Sequence, residues 1–456
     1  MNELLGNPRI SLLLFKQAAP ILLGLSGTTL YLLADSVFVS RLGSAPLAAL
    51  GYAIPPVLLV VNIMFGLGMG ATACVAPKLG AHDFEGGRTL ATRSVWLGLV
   101  VAMTLGPLVF MLRWEIVRAL GAQDPIAAQS VSFLAVWLWG APFQALMQIG
   151  TAALRAAGDS KTSGIVLLTA AVLNIALDPI LIFGWLGFPA MGLTGAAYAT
   201  LIGNGVAAAL TMRRMLAFGL LDLSDRAHGL LASWKEIGRV AGPASVTYVS
   251  VPLGAAVLTG FIAGHGPGAV AAYGVAGRID NLVRLVPLAL SGALAPFVGQ
   301  NWGASQIERA RQGVAVARRG ALLWGLVAWA ILAALATTIA GLFSDDPGVT
   351  GALAAFLWVA SAGFAWIGTT TVSSAALNAV KKPLEAAAIS ILRAFVLPIP
   401  LALLGDRVLG LPGLFAGVAL AAMISDRFAI HWLAKASLGR AMDVVSPTPL
   451  RRGSPE

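Results

Sequence analysis

The sequence predicts an all-α integral membrane protein of twelve transmembrane helices, arranged as two similar six-helix bundles. Three observations predict it: a composition too apolar for a water-facing surface, a one-sided distribution of Lys and Arg, and a repeat at a constant offset. Of the 456 residues, 58% are hydrophobic and only 11% are charged, and the mean hydropathy is +0.85. A soluble chain carries roughly 25% charged residues. The net charge of +10 would suggest nucleic acid in a soluble protein. Here the basic residues sit in short loops between apolar runs, where membrane orientation explains them. The single cysteine, Cys74, excludes an internal disulfide. The start, "MNELLGNPRISLLLFKQ", lacks the basic, long-apolar and small-residue order of a signal peptide.

About 20 apolar residues cross a bilayer as a helix. Charges and Gly/Pro clusters divide the chain into runs at 17–40, 47–76, 94–112, 128–154, 163–185, 191–212, 240–264, 269–298, 320–343, 350–379, 386–405 and 409–434. No alternating short-strand pattern of a barrel is present. Lys and Arg stay on the cytoplasmic side. One set of loops and ends carries 23 of them, from Arg9 and Lys16 through Arg88, Arg226, Arg311 and Arg393 to Arg440, Arg451 and Arg452. The alternate set carries four: Arg41, Arg113, Arg118 and Arg407. Both termini are therefore expected in the cytoplasm, with the chain multi-pass in the cell (inner) membrane. The longest cytoplasmic loop, 213–239, divides the chain. The expected units are an N-terminal lobe 1–215, a linker 216–238 and a C-terminal lobe 239–456.

An offset of 223 aligns distant segments of the two halves. "APLAALGYA" (45–53) falls on "GAVAAYGVA" (268–276), "VAPKLGAHDFEGGR" (75–88) on "VGQNWGASQIERAR" (298–311), and "TAALRA" (151–156) on "SAALNA" (374–379). Pro20 meets Pro243, and Arg88 meets Arg311. Six spans per half is an even number, so the halves enter the membrane in the same direction. Transporters with parallel repeats bind substrate between the halves and rock one against the other.

Several motifs carry a family resemblance: "LADSVFVSRLGSAPLAALG", "ALRAAGDSKT", "LNIALDPILIFG", "GLTGAAYAT", "GQNWGA" and "ALNAV". Together they resemble the MATE (multidrug and toxic compound extrusion) transporters, over nearly the whole chain. Within them the chain is most similar to the bacterial and archaeal branch related to DNA-damage-inducible F proteins. The resemblance implies the MATE fold and a cation site in the N-terminal half made of Asp35, Asn174, Asp178 and Thr200. Other family members carry an acid in span 7. Here that span reads "PASVTYVSVPLGAAVLTG", which argues against a second-lobe cation site of that type.

The residues support the same site. Intramembrane acids are rare and usually face a cavity or a partner. Asp35 lies 19 residues past Lys16 and Asp178 lies 17 past Lys161, so the two carboxylates reach nearly the same depth. Asn174 is one turn from Asp178 on the same face, and Thr200 descends to that depth from the other end of span 6. At the offset of 223, Asp35, Asn174 and Asp178 fall on Leu258, Leu397 and Leu401. The polar residues thus have apolar twins, and the scaffold does not require them. Pro179 removes a backbone bond and is expected to kink its helix, freeing the carbonyl of Ile175. Asp280 and Arg284, spaced i,i+4, read as a self-neutralised pair or as cavity charges. Asp426 and Arg427 read as a second pair near the inner end of span 12.

These features predict a secondary active multidrug exporter of organic, often cationic or amphipathic, compounds, an antiporter exchanging them for H+ or Na+. A lipid or lipid-linked saccharide flippase of the same architecture is the alternative. No GxxxxGK[ST] motif is present, so ATP does not drive it directly. The four His, at 82, 228, 265 and 431, lack metal spacing, and an enzyme is not expected. No cofactor is expected beyond the coupling ion. The expected partners are small-molecule substrates and the lipid bilayer, with no nucleic acid, and the chain is expected to act as a monomer.

Overall fold

The structure is a computed structural model that describes residues 3–222, 224 and 228–438. Among them, eleven helices are long and apolar enough to cross a membrane, and one bent pair supplies a twelfth span. They are α1 (Ile10–Ser40), α2 (Ser44–Gly80), α3 (Phe84–Met111), α4 (Ile126–Trp139 with Ala141–Ala156, bent by 50°), α5 (Ser160–Phe183) and α6 (Leu193–Ala217) in the first half. In the second half they are α7 (Leu230–Ala263), α8 (Pro267–Gly303), α9 (Ile307–Ala334), α10 (Pro347–Ala379), α11 (Pro383–Leu409) and α12 (Leu411–Lys435). Each coincides with one expected run, and the described residues form no strand. Arg226, Arg440, Arg451 and Arg452 lie outside the described residues.

The backbone repeats as the sequence does. Left-handed φ values occur at Gly43, His82 and Gly158 (116°, 60° and 93°) and, 223 residues on, at Gly266, Ser305 and Lys381 (95°, 59° and 58°). After α5 and α11 the offset becomes 218. Gly192 and Gly410 share one conformation, with φ of 56° and 62° and ψ of −136° and −145°. The halves also touch reciprocally. A methyl added at Gly80 would strike the carbonyl of Gln300, and one added at Gly303 would strike that of Pro77. Residues 77 and 300 are themselves 223 apart, which is the signature of two copies related by a pseudo-twofold axis. The first turns of each half cross over. Leu13 and Leu14 pack in the second half's core, while Ile237 and Ala241 pack in the first's. Arg88 and Arg311 are equivalent, as expected. Each guanidinium Nε donates to a backbone carbonyl just past the last span of its own half, Leu221 (3.1 Å) and Ser437 respectively.

The offset does not hold throughout α11. Residues Leu392–Val396 form a π-turn, which inserts one residue into the helical repeat. Beyond it the offset is 224. Gly192 N donates to Ile182 O, and Gly410 N donates to Asp406 O. The twins of Asn174 and Asp178 are therefore Pro398 and Ala402, not Leu397 and Leu401. Burial agrees: Asn174, Asp178, Pro398 and Ala402 are buried, and the two leucines only partly so. Two further expectations change. Arg393 belongs to the π-turn inside α11, not to a loop. Pro179 lies inside α5, which continues to Phe183, and its missing N–H leaves the Ile175 carbonyl without its i+4 donor. Asp426 pairs with Arg318 of α9 at 3.0 Å and accepts from Thr369 at 2.8 Å, rather than pairing with its neighbour Arg427.

The halves meet closely on one side of the molecule, the linker side, where α6 ends and α7 begins. Added methyls at Gly66 and Gly70 of α2 would strike α7, and one at Gly299 of α8 would strike Ala76. Gln300 Nε2 donates across the seam to Ala156 O at 2.7 Å. α8 is buried without interruption from Ala293 to Asn301, yet no residue from 277 to 286 is buried. Gly51, Gly260, Gly274 and Gly277, toward the far side, have nothing within 4 Å of an added Cβ. The halves are thus packed closely on the linker side, and α8 loses that cover toward the other.

Candidate cation site and family

Small residues bring α1 against α5. An added Cβ at Gly24 would lie 3.0 Å from Gly164 O, and one at Gly27 would lie 3.0 Å from Leu168. A methyl at Gly164 would strike Pro20 O. These contacts advance together along both chains, so the helices run parallel. The same stripe continues through Tyr31 and Asp35 on α1 and through Ala171, Asn174 and Asp178 on α5, at the i,i+3/i+4 spacing of one helix face. α6 closes the third side. Gly195 approaches Leu181 O, where an added Cβ would stand at 2.5 Å, and Gly203 approaches Ala170 O at 3.1 Å.

The structure brings all four expected residues into this wedge. Asp178 is 0% exposed and Asn174 is 2% exposed. The Asn174 amide is satisfied with Nδ2 donating to Asp178 Oδ2 at 3.1 Å and Oδ1 accepting from the Thr200 hydroxyl at 3.0 Å and from Thr200 N at 3.2 Å. Asp35 and Asp178 lie within electrostatic reach of one another, and Tyr31 lies within reach of both. Tyr31 was missed by sequence reasoning, although it stands i−4 from Asp35.

Both Asp35 Oδ1 and Asp178 Oδ1 are buried with no hydrogen-bond donor. Buried polar atoms are nearly always paired, and leaving one unpaired costs on the order of 1–3 kcal/mol. Two orphaned carboxylate oxygens facing one wedge offer hard oxygen donors, suited to a proton or a hard monovalent cation. The repeat-equivalent positions are Leu258, Pro398 and Ala402, and none can ligate.

The family model MatE matches the chain twice, over residues 20–180 and 243–404. The chain belongs to the MatE family. The second match starts 223 residues after the first and ends 224 after it. A MATE transporter is thus what both the sequence motifs and the twelve-helix fold describe. The chain is 30% identical over 440 residues to a FAD transporter of Shewanella oneidensis, covering 95% of this chain and 96% of the relative. It is 26% identical over 414 residues to the multidrug export protein MepA of Staphylococcus saprophyticus, covering 89% and 90%. The Vibrio cholerae MATE transporter VcmN in its bent form superposes with a TM-score of 0.89 at 28% identity, covering 94% and 97%.

Proposed function

We propose that this protein is a secondary active exporter that moves small organic molecules out of the cell in exchange for H+ or Na+ by alternating access. The observation that carries the reading is the pair of buried, donorless carboxylate oxygens of Asp35 and Asp178, present in one half of the repeat and absent from its twin. A carboxylate buried as an unpaired anion is costly. Binding a proton or Na+ removes that cost and changes what the α1–α5–α6 wedge prefers to pack against. The coupling ion needs to distinguish two arrangements by only ~1–3 kcal/mol to drive useful exchange. Pro179, with the unbonded Ile175 carbonyl one turn from Asp178, gives α5 a place to bend. With the basic linker side taken as cytoplasmic, the close packing there bars the inner side, and substrate leaves from the outer one. Membrane-embedded chemistry is not part of this reading, because family members are transporters.

The test is reconstitution into vesicles with a proton or a sodium gradient imposed separately, following efflux of ethidium and of FAD. One gradient is expected to drive at least one of these solutes, and an ionophore that collapses it should stop the flux. No gradient-dependent movement of either solute would end the exporter reading.

A further inference from the structure

The second half carries its own intramembrane polar group, of the opposite sign. On α8, Asp280 and Arg284 form an ion pair at 2.6 Å, the self-neutralised pair expected from their spacing. A second guanidinium stands nearby. Arg393, on the π-turn of α11, donates to the Ile367 carbonyl (3.2 Å) and to the hydroxyls of Thr370 (3.0 Å) and Thr371 (3.3 Å) on α10. Arg393 is within electrostatic reach of both Arg284 and Asp280, and Tyr273 is within reach of the same pair.

The charges do not balance. Asp280 meets Arg284 through Oδ2 and keeps Oδ1 without a donor, every hydrogen-bond partner of Arg393 among the described residues is neutral, and two guanidinium groups therefore share one carboxylate. A surplus positive charge half-buried in a membrane protein is costly. The fold does not require the group, since Asp280 and Arg284 stand 223 residues after Val57 and Val61. Its position is functional in character. It lies on the stretch of α8, 277–286, in which no residue is buried, just beyond the closed seam.

We propose that Arg393 and Arg284 form an anion-recognition site, and that the exported solute carries a phosphate or carboxylate group. This rests on the exporter reading and names its substrate class, which departs from the cationic compounds expected from the sequence. A guanidinium fork matches such groups bidentately, and the Thr370 and Thr371 hydroxyls can rotate to donate as well. With acids in one half and surplus base in the other, the coupling ion and the solute occupy separate halves and do not compete for one charge.

The probes are riboflavin, FMN and FAD, which share a ring and differ in phosphate. They are titrated by flavin fluorescence quenching into the purified full chain in phosphatidylcholine nanodiscs. FMN and FAD should bind at least about tenfold more tightly than riboflavin, the difference expected of one hydrogen bond to a charged group. Arg393→Gln should erase that preference, and Arg393→Lys should keep most of it. If Arg393→Gln does not fold, the double variant Thr370→Val with Thr371→Val should narrow the preference instead. Equal binding of the three flavins, no flavin binding, or a preference that survives Arg393→Gln would overturn the proposal. The preference should also persist when phosphatidylglycerol is added; its loss would assign the site to lipid headgroups and overturn the claim for a solute. Gradient-driven ethidium efflux without any flavin preference would sink this site and leave the exporter standing. A flavin preference without gradient-driven flux would do the reverse.

Discussion

Asp159, Asp426 and Asp178 are each largely removed from water, and each is stabilised differently. Asp159 caps α5, accepting from Thr162 N (3.0 Å) and Oγ1 (2.6 Å) and from Arg214 Nε at the end of α6 (2.8 Å). Burial pushes its carboxyl up, but the bonds from Thr162 and Arg214 outweigh burial and hold it below the ordinary carboxylate range. A depressed acid stabilises the fold above its unfolded value and loses that contribution as pH falls through the folded one. Asp159→Asn should therefore lower the melting temperature at pH 7, by an amount equivalent to about 1 kcal/mol, and the gap between variant and wild type should close as pH falls below about 4. A gap that is constant from pH 7 to pH 3 would contradict the ion-pair account. Asp426 shows what single-sequence reading misses. Its adjacent Arg427 is the obvious partner, yet two residues side by side on a helix point apart. Arg318, 108 positions upstream, takes the pair, and only the fold brings it there. Asp178 has neither kind of partner, and that contrast marks it.

Among the elements, α1 and α5 depend on glycine where their twins do not. A methyl at Gly164 would meet Pro20 O, while the twin position already holds Ala387. Gly164→Ala should therefore cost about 1–3 kcal/mol, as over-packing does, read as reduced yield and a lower melting temperature of purified protein. Ala387→Gly should cost less than about 1 kcal/mol. Equal effects at the two positions would mean that the α1–α5 seam is not specially close. All twelve spans were legible because length and hydropathy alone demand them. The π-turn was not, because a one-residue insertion inside an apolar run leaves hydropathy unchanged and shifts only which residues face inward. That shift is why the sequence offset chose Leu397 and Leu401 as twins and the structure chose Pro398 and Ala402. Arg393 was misplaced for a related reason: charge position along the chain marks a loop only when the helix does not bury it.

The molecule as a whole joins an acidic wedge in one half to a seam closed on the linker side. Orientation is testable because Cys74 is buried and gives a silent background. Cysteines placed at Ser224 and Ser344 should react with a membrane-impermeant maleimide from the inside and from the outside respectively, and the reverse pattern would invert the proposed direction of opening. The four residues of the wedge were legible from motif and depth together. Tyr31 and the opposing charge of the second half were not, because neither follows from the spacing of the acids. The central claim is that Asp35 and Asp178 couple ion movement to export, and its most direct measurement is gradient-driven efflux from vesicles containing Asp178→Asn or the twin-position variant Ala402→Asn. The account predicts that Asp178→Asn inserts and folds but shows no efflux above that without a gradient, and that Ala402→Asn still responds to the gradient. Wild-type efflux by Asp178→Asn at an unchanged gradient would contradict it.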